Sequence, residues 1–319
     1  MTVHDFSSGD LIADRRADYA LALAGGGDLP AAIDLMQQAL ELVPGWAAGW
    51  FRLAEWQEAA GDTDAARDSW RRVVDIDPVD HLGAGLRLDL ARAVPVAEAM
   101  PAAFVETLFD QYAERFETSL VDQLGYQGPA QIVEALLRAG RTRFERVLDL
   151  GCGTGLMGQA IRPHAGWLEG YDISARMLAQ ARAKGVYDGL HKRDLSRLDL
   201  GGAPFDLILA ADVFIYVGAL EQIVGWAAAS LTPGGVLAFT LEEFPDDEGD
   251  LRLRPSRRYA HGAGYVARLL DQAGFGAPQM SRATLRMDAG QPVSGLTVLS
   301  VRSPQPFRRE TDGEEMASA

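Results

Sequence analysis

The first hundred residues place apolar positions at helical spacing, interrupted at regular intervals by glycine and aspartate. Three features recur 34 positions further along the chain: Gly27-Asp28 as Gly61-Asp62, Ala31-Ala32 as Ala65-Ala66, and Pro44 as Pro78. Each Gly-Asp pair breaks the helical pattern, so each unit is predicted to form two helices joined by a turn. A further apolar series predicts a helix that caps the stack, with Leu82, Leu86, Leu88 and Leu90.

The residues after about Arg141 follow a different pattern, in which short apolar runs alternate with helical stretches. The runs are RVLDL, GWLEGYDI, DLILAADVF, GGVLAFTL and GLTVLSVR. This alternation predicts a mostly parallel sheet with helices on both faces. Between the two halves, one stripe recurs at about one helical turn: Phe104, Leu108, Tyr112 and Phe116. It is consistent with core packing of a connecting helix or with a functional role.

Composition narrows the classes of function. A length of 319 residues suits two domains that each bury a core. The formal net charge of -15 would repel nucleic acid and anionic membrane surfaces, so neither is an expected partner. One basic run could hold an anionic group or form a solvated loop: Arg252, Arg254, Arg257 and Arg258. With one cysteine and no secretory pattern, a cytoplasmic location is expected, and the scattered histidines predict no metal site.

The strongest local signal is VLDLGCGTGLMG, residues 147–158, where an apolar strand enters a glycine-rich turn before a helix. Gly151, Gly153 and Gly155 permit a tight turn whose backbone N–H groups can approach a ligand. The segment also fits the dinucleotide fingerprint G-x-G-x-x-G, so a nicotinamide dehydrogenase is an alternative. Asp149 favours the methionyl ammonium of a sulfonium cofactor, because a carboxylate there would repel a pyrophosphate. Asp172, at the end of the next strand, could accept from the ribose hydroxyls of either nucleotide.

Two family resemblances follow from these motifs. The 34-residue units resemble the tetratricopeptide repeat, and the second copy carries the fitting residues Trp50, Leu53, Ala54, Gly61, Ala66, Trp70 and Pro78. Residues 104–302 resemble a class I S-adenosylmethionine-dependent methyltransferase in the order and spacing of five motifs. These are the glycine turn, the acids after the second and third strands, the loop after the fourth strand, and LTPGG before the fifth.

The second resemblance implies S-adenosylmethionine as the cofactor and assigns roles to residues of this chain. Its methionyl end would be held by Asp149, Gly151, Gly153 and Gly155, its ribose by Asp172 beside Ile173, and its adenine by Asp194 and Leu195. The loop with Asp212, Val213 and Tyr216 would lie beside the transferred methyl group. The segment FDQYAERF looks like a helical lid, in which Tyr112 is the first candidate to close over the cofactor, followed by Phe116 and Phe109.

The family that the chain resembles has no universal catalytic base. His261 is a candidate because a histidine can deprotonate a hydroxyl or an amine near neutral pH, and Tyr216 is the second predicted catalytic residue. Further candidates near the strand ends are Tyr259, Tyr265, Glu242 and Glu243. Alignment of donor and acceptor could also supply most of the catalysis without a strong base.

The sequence thus predicts a doubly wound, mostly parallel, seven-stranded Rossmann-like α/β domain behind an all-α tetratricopeptide-like domain. The expected boundaries are 1–95 for the repeats, 96–140 for a linker and lid, 141–302 for the methyltransferase domain and 303–319 for a disordered tail. The predicted function is methylation of a small-molecule acceptor. The alternatives are a protein methyltransferase whose repeats recruit the target, and a cofactor-binding scaffold without catalysis.

Overall fold

A computed structural model describes residues 7–92, 100–113, 116–117, 124–199, 203–245, 249–288 and 290–304. The helices are α1 Leu11–Gly25, α2 Leu29–Leu42, α3 Ala47–Ala59, α4 Thr63–Ile76, α5 Ala84–Arg92, α6 Ala102–Tyr112, α7 Gly128–Arg138, α8 Leu156–Ile161, α9 Ala175–Lys184, α10 Glu221–Ser230 and α11 Ala263–Gln272. The strands are β1 Phe144–Leu150, β2 Ala165–Asp172, β3 Gly189–Lys192, β4 Phe205–Ala210, β5 Leu231–Glu243, β6 Leu251–Leu253, β7 Tyr259–His261, β8 Gln279–Asp288 and β9 Gln291–Val301. Within these ranges, no helix has the length and apolar character that a bilayer crossing requires.

Helices α1 to α4 form the two predicted repeat units. Asp28 caps α2 by accepting from the N–H of Ala31 at 3.2 Å, and Asp62 caps α4 by accepting from that of Ala65 at 3.1 Å. The preceding Gly27 and Gly61 have φ of +89° and +84°, which a residue with a side chain rarely adopts. The Gly-Asp pairs therefore end one helix and begin the next, as the sequence predicts.

The cap helix α5 joins the repeats to the rest of the chain. Its Leu88 packs into the second repeat, whereas its Leu86 lies in a cluster with Phe104 of α6 and with Leu253 and Tyr259 of the β6–β7 hairpin. Gly83 fits closely against α6, because a Cβ atom there would lie 2.8 Å from the Phe104 ring. The repeat stack thus packs on the segment that the sequence identifies as a possible lid.

The sheet has the predicted doubly wound arrangement. Its parallel strands are ordered β3-β2-β1-β4-β5, and β9 pairs antiparallel with β5 and with β8. Neighbouring residues of one strand are buried in different clusters: Val147 packs with α7 and α8, and Leu148 packs with α10 and α11. Because successive side chains of a strand point to opposite faces, helices cover both faces of the sheet.

Two details differ from the sequence-based expectation. Strands β6 and β7 form a short hairpin beyond the seven predicted strands, and β7 pairs with the end of β5 through Ala260 and His261. Helix α7, expected in the linker and lid, contributes Ile132 and Leu136 to the core beneath the sheet. Of the expected disordered tail, only residues 303 and 304 belong to the described ranges.

Candidate functional site

The glycine-rich turn lies where β1 ends beside β2 and β4. Gly151, Gly153 and Gly155 all have positive φ, at +62°, +53° and +93°. Gly151 is also required for close packing, since a Cβ atom there would lie 2.6 Å from Cγ2 of Val213. The turn is tied to β2, because the N–H of Cys152 donates to the carbonyl of Tyr171 at 2.9 Å. The backbone of the turn is thereby fixed before any ligand binds.

The carboxylate of Asp172 stands at the end of β2 and supports the same turn. Its Oδ2 accepts from the N–H of Gly153 at 2.8 Å, and its Oδ1 accepts from the N–H of Ser174 at 2.8 Å. Burial raises the pKa of Asp172 to about 6, although these hydrogen bonds oppose that shift. Asp172 and the adjacent Ile173 line the large cavity above the turn, where a ribose could reach the carboxylate.

Asp149 lies at the end of β1, two residues before Gly151, and its side chain is buried. Its carboxylate is 1% exposed, and the hydroxyl of Tyr187 donates to its Oδ2 at 2.6 Å. Burial raises the pKa of Asp149 to about 7. Among the described residues that line the cavity, Asp149 is not present. The direct contact of Asp149 with a methionyl ammonium therefore stays a prediction.

Asp194 and Leu195 line the cavity after β3, on the side of Asp172. Asp194 begins a short 3-10 helix, Leu195–Arg197, because its Oδ1 accepts from the N–H of Ser196 at 2.9 Å. The hydroxyl of Ser196 donates to the same oxygen at 2.7 Å. This leaves the second carboxylate oxygen available to a ligand amine beside the apolar side chain of Leu195.

The loop after β4 brings Asp212 and Val213 to the cavity wall next to the glycine turn. Asp212 has φ of +59°, and its N–H donates to Oγ1 of Thr240 at 2.9 Å. Its carboxylate pairs at 2.7 Å with Arg286, a fully buried side chain that also pairs with Glu242. A buried ion-pair network therefore fixes the loop that carries these two residues.

The cavity has a volume of about 930 Å³ and extends from the glycine turn to the segment of α6. Sites for small molecules and cofactors have volumes of ~300–1,000 Å³, so this one is large enough for a cofactor and an acceptor together. Its apolar and aromatic wall comprises Met100, Phe104, Val105, Leu108, Phe109, Tyr112, Phe116 and Leu124. The predicted cofactor side and the predicted lid thus enclose one continuous space.

Helix α6 is fastened to the methyltransferase-like half by polar contacts. The hydroxyl of Ser174 donates to Oδ1 of Asp110 at 2.5 Å, and Lys192 pairs with Glu106 at 2.5 Å. Tyr112 lines the cavity but is 52% exposed. Phe109 lies deeper, with its ring centroid 6.1 Å from that of Phe116 and 5.2 Å from that of Tyr216. Phe109 and Phe116 are therefore better placed than Tyr112 to cover a ligand.

Tyr126, Tyr216 and Arg258 are three further polar residues that line the cavity. Burial raises the pKa of Tyr216 and raises that of Tyr126 well above its ordinary value, so both phenols are neutral hydrogen-bond donors at neutral pH. Arg258 hydrogen-bonds Tyr216 and pairs with Asp288 at 3.2 Å. The hydroxyl of Tyr126 is buried and has no hydrogen-bond partner within the described residues.

His261 does not reach the cavity. It is fully buried, and its Nε2 lies 2.8 Å from the carbonyl of Gly218, which accepts the hydrogen bond. Burial lowers the pKa of His261, so the imidazole is neutral. The predicted role as a catalytic base is contradicted by this position. Tyr216 alone of the two predicted catalytic residues lies at the site.

The other candidate bases are also engaged away from the cavity. The hydroxyl of Tyr265 accepts from the N–H of Leu220 at 2.9 Å, and burial raises its pKa. Tyr259 is buried against α5 and α6, and Glu242 pairs with Arg254 and Arg286. Among the described lining residues there is thus no histidine and no lysine that could serve as a base.

Sequence reasoning missed Tyr126, Tyr187 and Arg286. One sequence feature accompanies Tyr126: residue 128 is a glycine, and a side chain at that position would collide with the Tyr126 phenol. Gly158 accompanies Tyr187 in the same way, because a Cβ atom at that position would collide with the Tyr187 ring. Arg286 lies near the end of β8, beside a shift of the pairing register between Thr284 and Arg286, and no local sequence pattern marks it as buried.

Comparisons with known proteins agree with this architecture. Residues 148–237 match the methyltransferase domain family, and residues 48–78 match the tetratricopeptide repeat family. The magnesium protoporphyrin IX methyltransferase of Synechocystis, solved with bound SAH, aligns over 63% of this chain and 99% of its own. The TM-score is 0.51 at 19% sequence identity, which shows a common fold.

Curated relatives match parts of the second half of the chain. A malonyl-[acyl-carrier protein] O-methyltransferase of Enterobacter lignolyticus is 36% identical over 105 residues, or 33% of this chain and 42% of that protein. A trans-aconitate 2-methyltransferase of Paracidovorax citrulli is 32% identical over 144 residues, or 44% of this chain and 54% of that protein. The chain thus spans about half the length of these relatives. It combines a segment that matches the methyltransferase domain family with one that matches the tetratricopeptide repeat family.

Proposed function

We propose that this chain, with its methyltransferase domain, binds S-adenosylmethionine above the glycine turn and methylates a small molecule held in the same cavity. The observation that carries this proposal is the continuity of the cavity. One space is lined by Asp172 and Asp194, which we assign to the cofactor, and also by Tyr126, Tyr216 and Arg258. The two relatives, a malonyl-[acyl-carrier protein] O-methyltransferase and a trans-aconitate 2-methyltransferase, support the same class of reaction.

The residues present fit this cofactor. Asp172 offers a carboxylate to two ribose hydroxyls, and Asp194 offers a free oxygen to an adenine amine beside Leu195. The backbone of Gly151 and Gly153 would lie against the methionyl end, because neither residue has a side chain to exclude it. When bound, the sulfonium supplies an activated methyl group that an acceptor atom can attack in line, leaving the C–S electron pair on sulfur.

The protein's own contribution is positioning and exclusion of water. Phe109 and Phe116 would cover the sulfonium, where a cation–π contact contributes roughly 0.5–2 kcal/mol. The neutral phenols of Tyr126 and Tyr216 would donate hydrogen bonds to the acceptor, and Asp212 and Val213 would border the path of the methyl group. Alignment of donor and acceptor would supply most of the catalysis, since transfer from a sulfonium does not require a strong base.

The repeats favour a small acceptor over a protein target. They pack against α6 and the β6–β7 hairpin, and residues of both segments line the cavity. In this position they stabilise the enclosure of the acceptor. A protein substrate would need a path past α5 and α6 to reach the methyl group.

Calorimetric titration tests cofactor binding. We expect S-adenosylmethionine and S-adenosylhomocysteine to bind and NADH not to bind. In Asp172→Ala, binding of both nucleosides should weaken by about 2–4 kcal/mol, since each charged hydrogen bond contributes roughly 1.5–3 kcal/mol with incomplete additivity. Asp199→Ala, which changes an exposed carboxylate outside the cavity, is the matched control and should bind like the wild type. Binding of NADH alone would favour a dehydrogenase, and no binding at all would refute both assignments.

A further inference from the structure

Two adjacent arginines of the β6–β7 hairpin line the cavity, Arg257 and Arg258. The hairpin turn is closed by backbone hydrogen bonds, from Arg254 N–H to the Arg258 carbonyl at 2.9 Å and from Arg257 N–H to the Arg254 carbonyl at 2.8 Å. Arg257 has φ of +59°, a conformation that is unfavourable for a residue with a Cβ atom. The turn thus holds Arg257 at the cavity wall in a strained backbone conformation.

Most of the charged groups around these arginines are held in ion pairs. Three carboxylates, those of Asp212, Glu242 and Asp288, pair with three guanidinium groups, those of Arg254, Arg258 and Arg286. Within the described residues, no carboxylate lies at ion-pair distance from Arg257. Burial lowers the pKa of Arg257, and the nearby charge of Arg87 lowers it further. Glu55 acts on it from beyond ion-pair distance and itself pairs with Arg52 and Arg87. Among these arginines of the hairpin and β8, Arg257 is the one for which no ion pair is found within the described residues.

The surroundings of Arg257 are otherwise apolar. Its guanidinium carbon lies 5.6 Å from the centroid of the Phe104 ring, and the adjoining wall is formed by Met100, Val105 and Leu108. A cation at the edge of an apolar surface is suited to a ligand with one negative charge and a hydrocarbon body. A carboxylate fits the planar guanidinium in a bidentate arrangement and carries a single negative charge.

We propose that Arg257 forms an acceptor subsite, which binds one carboxylate of a largely apolar small molecule. This subsite rests on the proposed function, because it defines the acceptor class of the same cavity. It places the carboxylate at Arg257 and the hydrocarbon body along Phe104 and Leu108. The acceptor atom then faces Tyr126, Tyr216 and the methyl group. The basic run in the sequence thereby separates into two arginines held in ion pairs, Arg254 and Arg258, one outside the described cavity wall, Arg252, and the ligand-binding Arg257.

Calorimetry with simple probes tests this subsite on the full chain. The probes are octanoate and 3-phenylpropionate, each compared with its neutral alcohol, 1-octanol and 3-phenylpropanol, with and without saturating S-adenosylhomocysteine. The variant is Arg257→Asn, because asparagine tolerates the left-handed conformation of this position. The control is Arg252→Gln on the same hairpin, whose guanidinium lies 5.6 Å from the Phe244 ring and outside the described cavity wall.

We expect at least one carboxylate to bind the wild type and Arg252→Gln more tightly than its alcohol, and to lose about 10-fold or more of its affinity in Arg257→Asn. The affinities of the alcohols should be equal in all three proteins. Equal carboxylate affinity in the wild type and Arg257→Asn, or no carboxylate binding to the wild type, would overturn the subsite.

Titration with S-adenosylhomocysteine distinguishes failure of the subsite from failure of the proposed function. Its affinity should be unchanged within about 2-fold in Arg257→Asn, because the carboxylate of the cofactor lies at the glycine turn in our assignment. A 10-fold loss, on the scale of one charged hydrogen bond, would instead assign Arg257 to the cofactor's own carboxylate and overturn the acceptor subsite. Failure of the nucleoside to bind the wild type would refute the proposed function, whereas the probe titrations without it would still report on Arg257.

Discussion

The hydroxyl of Tyr187 donates a hydrogen bond to Oδ2 of Asp149 at 2.6 Å. Asp149 precedes the glycine turn, and the sequence predicts that its carboxylate binds a ligand. The second oxygen, Oδ1, is buried without a partner among the described residues. Asp149 therefore contributes to the support of the turn. Its burial makes the ionised form unfavourable, and the folded protein binds a proton there more readily than the unfolded chain does.

This burial predicts a pH effect on stability. Because the folded pKa of Asp149 is about 7 and its ordinary value is 3.8, the protonated carboxyl stabilises the fold at low pH, and this contribution disappears as the pH rises through 7. In Asp149→Asn, the difference in unfolding free energy between about pH 5.5 and about pH 8 should shrink by about 2 kcal/mol. Thermal unfolding at the two pH values measures it, with Asp199→Asn as the exposed control. An unchanged pH dependence would show that Asp149 is not perturbed.

The positive φ and close packing of Gly151 predict that a side chain at this position reduces both stability and ligand binding. Gly151→Ala introduces both a positive φ and a collision with Val213, whereas Gly140→Ala introduces a φ of +72° with no atom within 4 Å. The control should lose about 1–2 kcal/mol of unfolding free energy. Gly151→Ala should lose roughly 1–3 kcal/mol more and should bind S-adenosylhomocysteine weakly, because the turn must move. Denaturant unfolding and calorimetry measure the two effects, and equal losses in the two variants would contradict the contact with Val213.

The buried ion pairs of Arg286 predict that substitutions of two arginines of β8 differ greatly in their effect on the free energy of unfolding. Arg286→Met leaves the carboxylates of Asp212 and Glu242 without their shared buried partner and should cost about 3–5 kcal/mol. Arg282→Met changes a side chain that is 69% exposed and pairs with Glu243, so it should cost only about 0–1 kcal/mol. Adding Asp212→Asn to Arg286→Met should recover part of the loss. Comparable losses for the two single variants, measured by denaturant unfolding, would refute a structural role for the buried network.

The packing of the repeats against α6 predicts that loss of this contact weakens binding of the acceptor, whereas a cavity elsewhere in the repeats does not. Leu86→Ala removes a buried contact with Phe104, whereas Leu53→Ala creates a cavity inside the repeat stack. Both should lose about 2–5 kcal/mol of stability. Only Leu86→Ala should also weaken acceptor or carboxylate-probe binding, because it loosens α6. Equal probe affinity in the two variants would show that the repeats do not support the cavity wall.

The sequence predicts the features that depend on local or periodic patterns. The 34-residue repeat, the alternation of strands and helices, the glycine turn and Asp172 follow from short segments read in order. The β6–β7 hairpin was missed because its strands have three residues each, too few to show a period. The fold class is therefore predictable from pattern, whereas small additions at the strand ends are not.

The remaining site residues depend on contacts that no sequence pattern marks. Tyr187 and Asp149 are 38 positions apart, and Arg286 and Asp212 are 74 positions apart. The prediction for His261 failed for the same reason. Its segment borders the cavity, but strand pairing with β5 turns the imidazole toward Gly218 and away from the ligand space. Proximity along the chain did not determine the direction of the side chain.

The measurement that tests the central claim most directly is formation of S-adenosylhomocysteine from S-adenosylmethionine, followed by mass spectrometry. The purified chain is incubated with the low-molecular-mass fraction or with the protein fraction of a cell extract. Our account predicts product formation with the low-mass fraction, retained in Asp199→Ala and strongly reduced in Asp172→Ala. Product formed only with the protein fraction would contradict a small-molecule acceptor, and no product with either fraction, despite cofactor binding, would contradict catalysis itself.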